Sequence, residues 1–197
     1  MRVRLLPRQL KSITMVVIDH HSNRTTPQGA AMIRIRTKQV PQVQQVIVEA
    51  PMRHINFIVI HCTATPDYHP SDPAFDSFGV TQIRQWHTRP VADGGRGWND
   101  IGYHWVVRRT GKVEMGRPEA VIGAHVQGQN AASIGIAYVG TCEPTEAQVK
   151  ALKGLIEKKV DEYDLQLSAV VGHNELTRGK TCPGFSVKQK LLLGLYF

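Results

Sequence analysis

Ile55-Asn56-Phe57-Ile58-Val59-Ile60-His61-Cys62-Thr63-Ala64-Thr65 decides how the rest of the chain is read. Its first six residues are mostly apolar and β-branched, the composition of a strand buried at the centre of a sheet. The run ends on a histidine, and small polar residues follow. Ligand sites concentrate where buried strands of an α/β sheet run out into loops. An imidazole held there has a rigid backbone beneath it, as a metal ligand requires. Taken alone, His61 fits equally well as a core histidine bonded to a neighbouring loop.

A second stretch shifts that balance. Val170-Val171-Gly172-His173-Asn174-Glu175-Leu176-Thr177-Arg178-Gly179-Lys180-Thr181-Cys182-Pro183-Gly184 again runs from an apolar strand end to a histidine, then to a loop with a lysine and a Cys-Pro pair. His61, His173 and Cys182 suffice as three protein ligands to one zinc, leaving a fourth position for water or substrate. Three ligands and an open position is the catalytic arrangement, whereas structural zinc is closed by four. The wide sequence separation agrees, because structural zinc knuckles use tight pairs such as CxxC and this chain has none. The competing reading of Cys182 is a buried free thiol.

Further blocks lie between these stretches: Ile83-Arg84-Gln85-Trp86-His87, Asp100-Ile101-Gly102-Tyr103-His104-Trp105, Gly123-Ala124-His125 and Ser133-Ile134-Gly135-Ile136. With Val59 to Thr65 and Gly172 to Pro183, they make six blocks in order. In these blocks the chain resembles the zinc-dependent N-acetylmuramoyl-L-alanine amidases, the family shared by amidase-type phage lysozymes and animal peptidoglycan recognition proteins. The resemblance runs from Ile55 to Phe185, two thirds of the chain.

Composition is that of an ordinary globular protein, with 42% hydrophobic and 20% charged residues. No apolar stretch approaches the ~18 residues of a membrane-spanning helix. The formal charge of +8 would suggest a polyanion binder if it were spread over the whole chain. It is not. Residues 1–53 hold nine Lys/Arg against two Asp/Glu, and residues 54–197 hold fifteen against fourteen. Two regions are therefore expected: a basic N-terminal extension, 1–51, and a zinc amidase domain, 52–197. In the extension, Met15-Val16-Val17-Ile18 is cut short by Asp19, whereas an export signal needs ~7–15 apolar residues. Ile33 to Arg36 alternates like a strand, Val43 to Val48 could form another, and the glutamine-rich run between them reads as linker.

Within the domain, residues 66–79 read as a surface loop and Val80 to His87 as a short helix, with His87 packing or capping. Arg89 to Asp100, with three glycines, reads as a mobile loop beside a substrate groove. Tyr103 to Arg109 and Lys112 to Met115 form a hairpin, and Ser133 to Val139 a buried strand. Thr145-Glu146-Ala147-Gln148 is a capping box opening a long helix, with Val149, Leu152, Leu155, Ile156 and Val160 on its buried side. Gly154 inside that helix implies close packing. Ala169 to Gly172 is the strand that delivers His173, and Ser186 to Leu195 a terminal amphipathic helix. Strands and helices interleave, so the fold class is α/β, a mixed central β-sheet flanked by helices. The resemblance implies the same architecture.

The resemblance also implies the chemistry: hydrolysis of the amide between muramic acid and L-alanine, with Zn2+ as cofactor and peptidoglycan or muropeptides as substrate. It places Tyr103 and Lys180 beside the metal. A lysine ammonium stabilises charge on the tetrahedral oxygen, and a tyrosine hydroxyl positions water or donates to that oxygen. Glu175 is the rival general base, because carboxylates do that work in other zinc hydrolases. The loop from His173 to Cys182 is one residue longer than in close phage relatives, which bears on Glu175 and Lys180 more than on the ligands. His125 and Asn130 match the groove wall and are expected to contact substrate. His104, following Tyr103 on a strand, is expected on the opposite side, in the core. Cys62 likewise points away from His61 into packing, and a Cys62–Cys142 disulfide is possible.

Two other function classes bear weighing. A non-catalytic peptidoglycan-binding module is the alternative to an enzyme, but such members of the family typically lose the cysteine or another ligand, and all three are present here. A nucleic-acid role would rest on the basic extension alone, with no stacking platform or helix-turn-helix to support it. The odd cysteine count and lack of an export signal indicate synthesis in a reducing compartment, and the protein is expected to be a monomer. A phage or prophage lysin released through a membrane pore would reconcile this with a substrate outside the cell; so would recycling of wall fragments in the cytoplasm, or an unusual export route.

Overall fold

The computed structural model describes residues 53–195. The extension, including the strand-like stretches read at 33–36 and 43–48, lies outside the described residues. Among the described residues five strands form one sheet: β1 (Phe57–Cys62), β2 (Trp105–Val107), β3 (Val113–Met115), β4 (Ser133–Tyr138) and β5 (Val170–Gly172), in the order β3-β2-β4-β1-β5. β1 runs parallel to both β4 and β5, and β2 is parallel to β4. Only the hairpin partner β3 is antiparallel. The sheet is mixed, as the alternation of strands and helices implied.

β1 is displaced two residues towards its C-terminus from the sequence reading. Its ladder with β4 continues until Cys62 meets Tyr138, so His61 sits within the strand, opposite Ala137, and not just beyond its end. Successive side chains leave opposite faces of a strand. Ile58 and Ile60 therefore join Ile134, Ile136 and Tyr138 against Leu152, Leu155, Ile156 and Val160 of α2 (Glu146–Glu162). The other face, which carries Val59 and His61, is covered by α1 (Val80–Thr88). Val80 and Ile83 of α1 pack there with Ile101, Val106 and Val139.

The capping box of α2 is complete. Thr145 Oγ1 accepts the Gln148 N–H at 3.1 Å, and Gln148 Oε1 accepts the Thr145 N–H at 3.0 Å. The Gln148 amide also donates to the Val107 and Val139 carbonyls, which ties the helix start to two strand ends. Val149 is only half-buried, whereas Leu152, Leu155, Ile156 and Val160 are in the core. Gly154 corrects the sequence reading. A Cβ built there meets nothing within 4 Å, and the position is exposed, so close packing does not explain the glycine.

Two other expectations are revised. The terminal helix is short: Lys188–Leu192 forms a π-helical turn anchored by buried Val187 and Leu191, and Gly194 at φ 85° ends it. Tyr103 and His104 do not part to opposite faces. Strand pairing begins only at Trp105, and the bend before it breaks the alternation, so both rings reach the same histidine cluster. His104 is nonetheless fully buried, as a core residue should be. The glycine-bearing loop after α1 is a hydrogen-bonded structure, with Gly97 N–H donating to the Arg89 carbonyl and Trp98 N–H to His87.

Candidate metal centre

Three elements converge at the C-terminal ends of β1 and β5. β1 supplies His61, buried to 1% exposure. β5 ends at Gly172, and His173 opens the single helical turn α3 (His173–Leu176). The loop after α3 returns Cys182 to the sheet, held at three points. The Asn174 N–H donates to the Cys182 carbonyl at 2.7 Å, and the Cys62 N–H donates to Cys182 Sγ at 3.2 Å. The Tyr138 hydroxyl, at the end of β4, donates to the Pro183 carbonyl at 2.6 Å. Cys62, Cys142 and Cys182 are all free thiols, so the possible Cys62–Cys142 disulfide is not formed.

One donor atom from each of His61, His173 and Cys182 lies within 4.8 Å of the others. His61 Nδ1 and Cys182 Sγ are 3.7 Å apart. Zn–N bonds of about 2.0–2.1 Å and a Zn–S bond of about 2.3 Å at tetrahedral angles put N and S roughly 3.5 Å apart. The pair is thus spaced as two ligands of one zinc would be, and the donor set of two imidazoles and a thiol is one that zinc takes. The residues fit the ion.

Electrostatics favour neutral imidazoles, which is the ligating form. Burial holds the His61 pKa well below its ordinary value, and the neighbouring His125 and His173 push the same way. Burial and the nearby Lys180 ammonium lower His173. The Cys182 thiol is raised, first by its contact with the Cys62 side chain and then by burial; the Cys62 N–H and Lys180 oppose this.

The remaining site residues divide. The Tyr103 ring stands 5.3 Å from that of His61, and burial raises its pKa, so the hydroxyl keeps its proton. Lys180 is exposed at the rim, close enough to act electrostatically on both His173 and Cys182. Glu175 is engaged locally, its Oε1 accepting the Gly172 N–H at 2.7 Å at the start of α3. Asn130 Oδ1 accepts the N–H groups of His125 and Val126 at 2.8 and 2.9 Å, and so braces the wall segment. His125 reaches the metal site itself, with Nδ1 at 3.1 Å from His61 Nε2. His87 packs on Trp98 and accepts the Gly102 N–H, in keeping with a structural role.

Sequence reasoning passed over Arg53. Its guanidinium donates to the carbonyls of Glu119, Asn130, Ala131 and Ser133, stapling the wall segment to the start of β1. It read as one more charge of the basic extension. No local pattern marks it, because all these carbonyls lie more than sixty residues away.

Comparison with known proteins gives a consistent picture. The family model described as N-acetylmuramoyl-L-alanine amidase matches residues 51–185. The endolysin of Klebsiella phage KP32 is 37% identical over 141 residues, covering 67% of this chain and 82% of the phage protein. Among solved structures, the N-acetylmuramoyl-L-alanine amidase LysC from Clostridium intestinale URNW superposes with a TM-score of 0.53 at 28% identity, covering 71% of this chain and 86% of that one. A chain from the complex of tracheal cytotoxin with the ectodomains of peptidoglycan recognition proteins LCa and LCx superposes with a TM-score of 0.57 at 30% identity, covering 68% of this chain and 81% of that one.

Proposed function

The chain belongs to the N-acetylmuramoyl-L-alanine amidase family, and we propose that it cleaves the muramoyl–L-alanine amide of peptidoglycan with one zinc ion held by His61, His173 and Cys182. The convergence of those three donor atoms from β1, α3 and the following loop carries the reading. Bound there, zinc supplies an activated water at neutral pH and polarises the scissile carbonyl.

The chain's own residues do the rest. Water adds to the lactyl carbonyl carbon, the C–N bond breaks, the carboxylate stays on the muramic acid and L-alanine leaves as an amine. Lys180 places its ammonium over the carbonyl oxygen as negative charge develops. Tyr103, kept protonated by burial, donates to that oxygen or orients the attacking water. Glu175, although a candidate base by residue type, serves here to fix the turn that carries His173.

The likeness to a phage endolysin supports a role in breaking down the wall of a bacterial host, with cytoplasmic synthesis and phage-style release. The structural likeness to recognition ectodomains that bind tracheal cytotoxin supports a muropeptide-shaped groove beside the metal. One chain is the working unit, since all three donors and both helper residues come from it. The domain from residue 52 onwards is self-sufficient in this account. Among the described residues no helix is long and apolar enough to cross a membrane.

Elemental analysis of the purified protein and of Cys182→Ala tests the metal assignment. One zinc per chain, lost or strongly weakened in the variant, is expected. A parent protein that takes up no zinc contradicts the reading.

A further inference from the structure

His61 has a second ring nitrogen, and the metal reading gives it no task. That nitrogen, Nε2, lies 3.1 Å from His125 Nδ1, with the two rings at 83°. On its other side, His125 Nε2 lies 3.5 Å from Ser133 Oγ. The Ser133 hydroxyl donates to the Gln129 carbonyl at 2.7 Å. A carbonyl only accepts, so the hydroxyl proton is committed there and its lone pairs are free for His125. His125 then carries its proton on Nε2 and offers Nδ1 as an acceptor. His61 must in turn hold its proton on Nε2. Its free lone pair is left on Nδ1, the nitrogen 3.7 Å from Cys182 Sγ.

The seat of the His125 ring is built for this contact. Asn130 Oδ1 pins the His125 backbone from below. Gly135 and Gly123 leave the space the ring fills: a Cβ at Gly135 would come within 2.6 Å of His125 Cγ, and one at Gly123 within 2.7 Å of its Cδ2. Gly135 lies on β4 next to Ala137, which pairs with His61, so the sheet itself sets the height of the ring.

We propose that His125 is a positioning residue for the metal ligand His61, not a substrate contact: the line Gln129–Ser133–His125 selects the His61 tautomer and ring orientation that deliver Nδ1 to the ion. The inference rests on the zinc reading above. Ligand histidines commonly donate their second N–H to an acceptor, which fixes both tautomer and ring angle. The usual acceptors are carboxylates or carbonyls. An imidazole here orients His61 without adding negative charge to a site where Cys182 would hold zinc as a thiolate.

The test measures zinc affinity of the full-length protein by competition with a chromophoric chelator, together with kcat and KM on peptidoglycan fragments. Loss of an outer-shell partner weakens metal binding by about 10- to 100-fold, and that is expected for His125→Ala. His125→Asn returns an acceptor oxygen in place of Nδ1 and is expected to bind zinc within about threefold of the parent. In the unaltered protein, long-range 15N–1H correlation should find the His125 proton on Nε2 and, with zinc bound, the His61 proton on Nε2 as well. A folded His125→Ala that binds zinc as tightly as the parent and changes only KM overturns the proposal and makes His125 a substrate contact. A His125 proton on Nδ1 overturns it independently of any variant. If the parent itself binds no zinc, the metal reading falls first and this inference falls with it.

Discussion

The Tyr138 hydroxyl stands 2.6 Å from the Pro183 carbonyl, so the last residue of β4 holds the loop that carries Cys182. The contact is buried, and Pro183 directly follows the thiol. Tyr138→Phe keeps the ring in the core and removes this tether together with the hydroxyl's longer, 3.0 Å contact to the Thr141 carbonyl. Losing a buried hydrogen bond and leaving the carbonyl without it costs about 1–2 kcal/mol. Denaturant melts should show that loss, and chelator competition should show weaker zinc binding, because the Cys182 loop is then free to shift.

Lys180 is exposed and outside the donor set, so it separates catalysis from metal binding. Removing one donor to a developing oxyanion typically lowers kcat by about 100- to 1000-fold. Lys180→Ala should fall in that range while zinc content stays at one per chain. Loss of zinc together with activity would instead mark the lysine as a structural element of the loop.

Gly154 offers a stabilising change. Its Cβ direction is open and the position is exposed in the middle of α2. Alanine should stabilise the helix by about 1 kcal/mol. A domain of this size should then melt about 3 °C higher. An unchanged or lower melting temperature would show that the glycine has a role the packing does not reveal.

His87 and His104 set an acid limit on stability. Burial above all, with cationic neighbours adding to it, lowers each to about 4 from an ordinary value near 6.5. Both use Nδ1 to accept a backbone N–H, from Gly102 and Gly135 respectively, which the charged ring could not do. Between pH 6.5 and 4 the unfolded chain binds these protons and the folded one does not. Stability is therefore full above pH 6.5 and falls as the pH drops towards 4. Urea midpoints measured across that window should decline steadily; a flat profile would contradict the buried neutral state.

The domain boundary is testable by truncation. The family match starts at residue 51, and all the donor and helper residues named above lie beyond it. Residues 52–197 alone should fold and retain the hydrolytic activity of the full chain. Insoluble or inactive protein would assign the basic extension a structural role.

What could be read from the sequence was local in kind. The strand that carries His61, the strand before His173 and the capping box at Thr145 each announce themselves within a few residues, through β-branched runs or through a side chain three positions on. Six ordered blocks made the fold class legible before any contact was known. The pairings that build the site are of another kind. His61 to His125 spans 64 positions, Tyr138 to Pro183 spans 45, and Arg53 to Ser133 spans 80. No periodicity encodes such contacts; they follow from strand order. Asn130 was read from the resemblance and Glu175 by residue type as site groups, and the structure has both bonded to nearby backbone. Short polar side chains compete for local N–H groups in this way.

The most direct measurement is digestion of purified peptidoglycan by the full-length protein, with and without a chelator, scored by release of stem peptides bearing a free L-alanine amino terminus. The account predicts release that stops on chelation, returns on adding zinc, and is lost in Cys182→Ala. Release that continues in the presence of chelator, or muropeptide binding with no release by zinc-loaded protein, would contradict it.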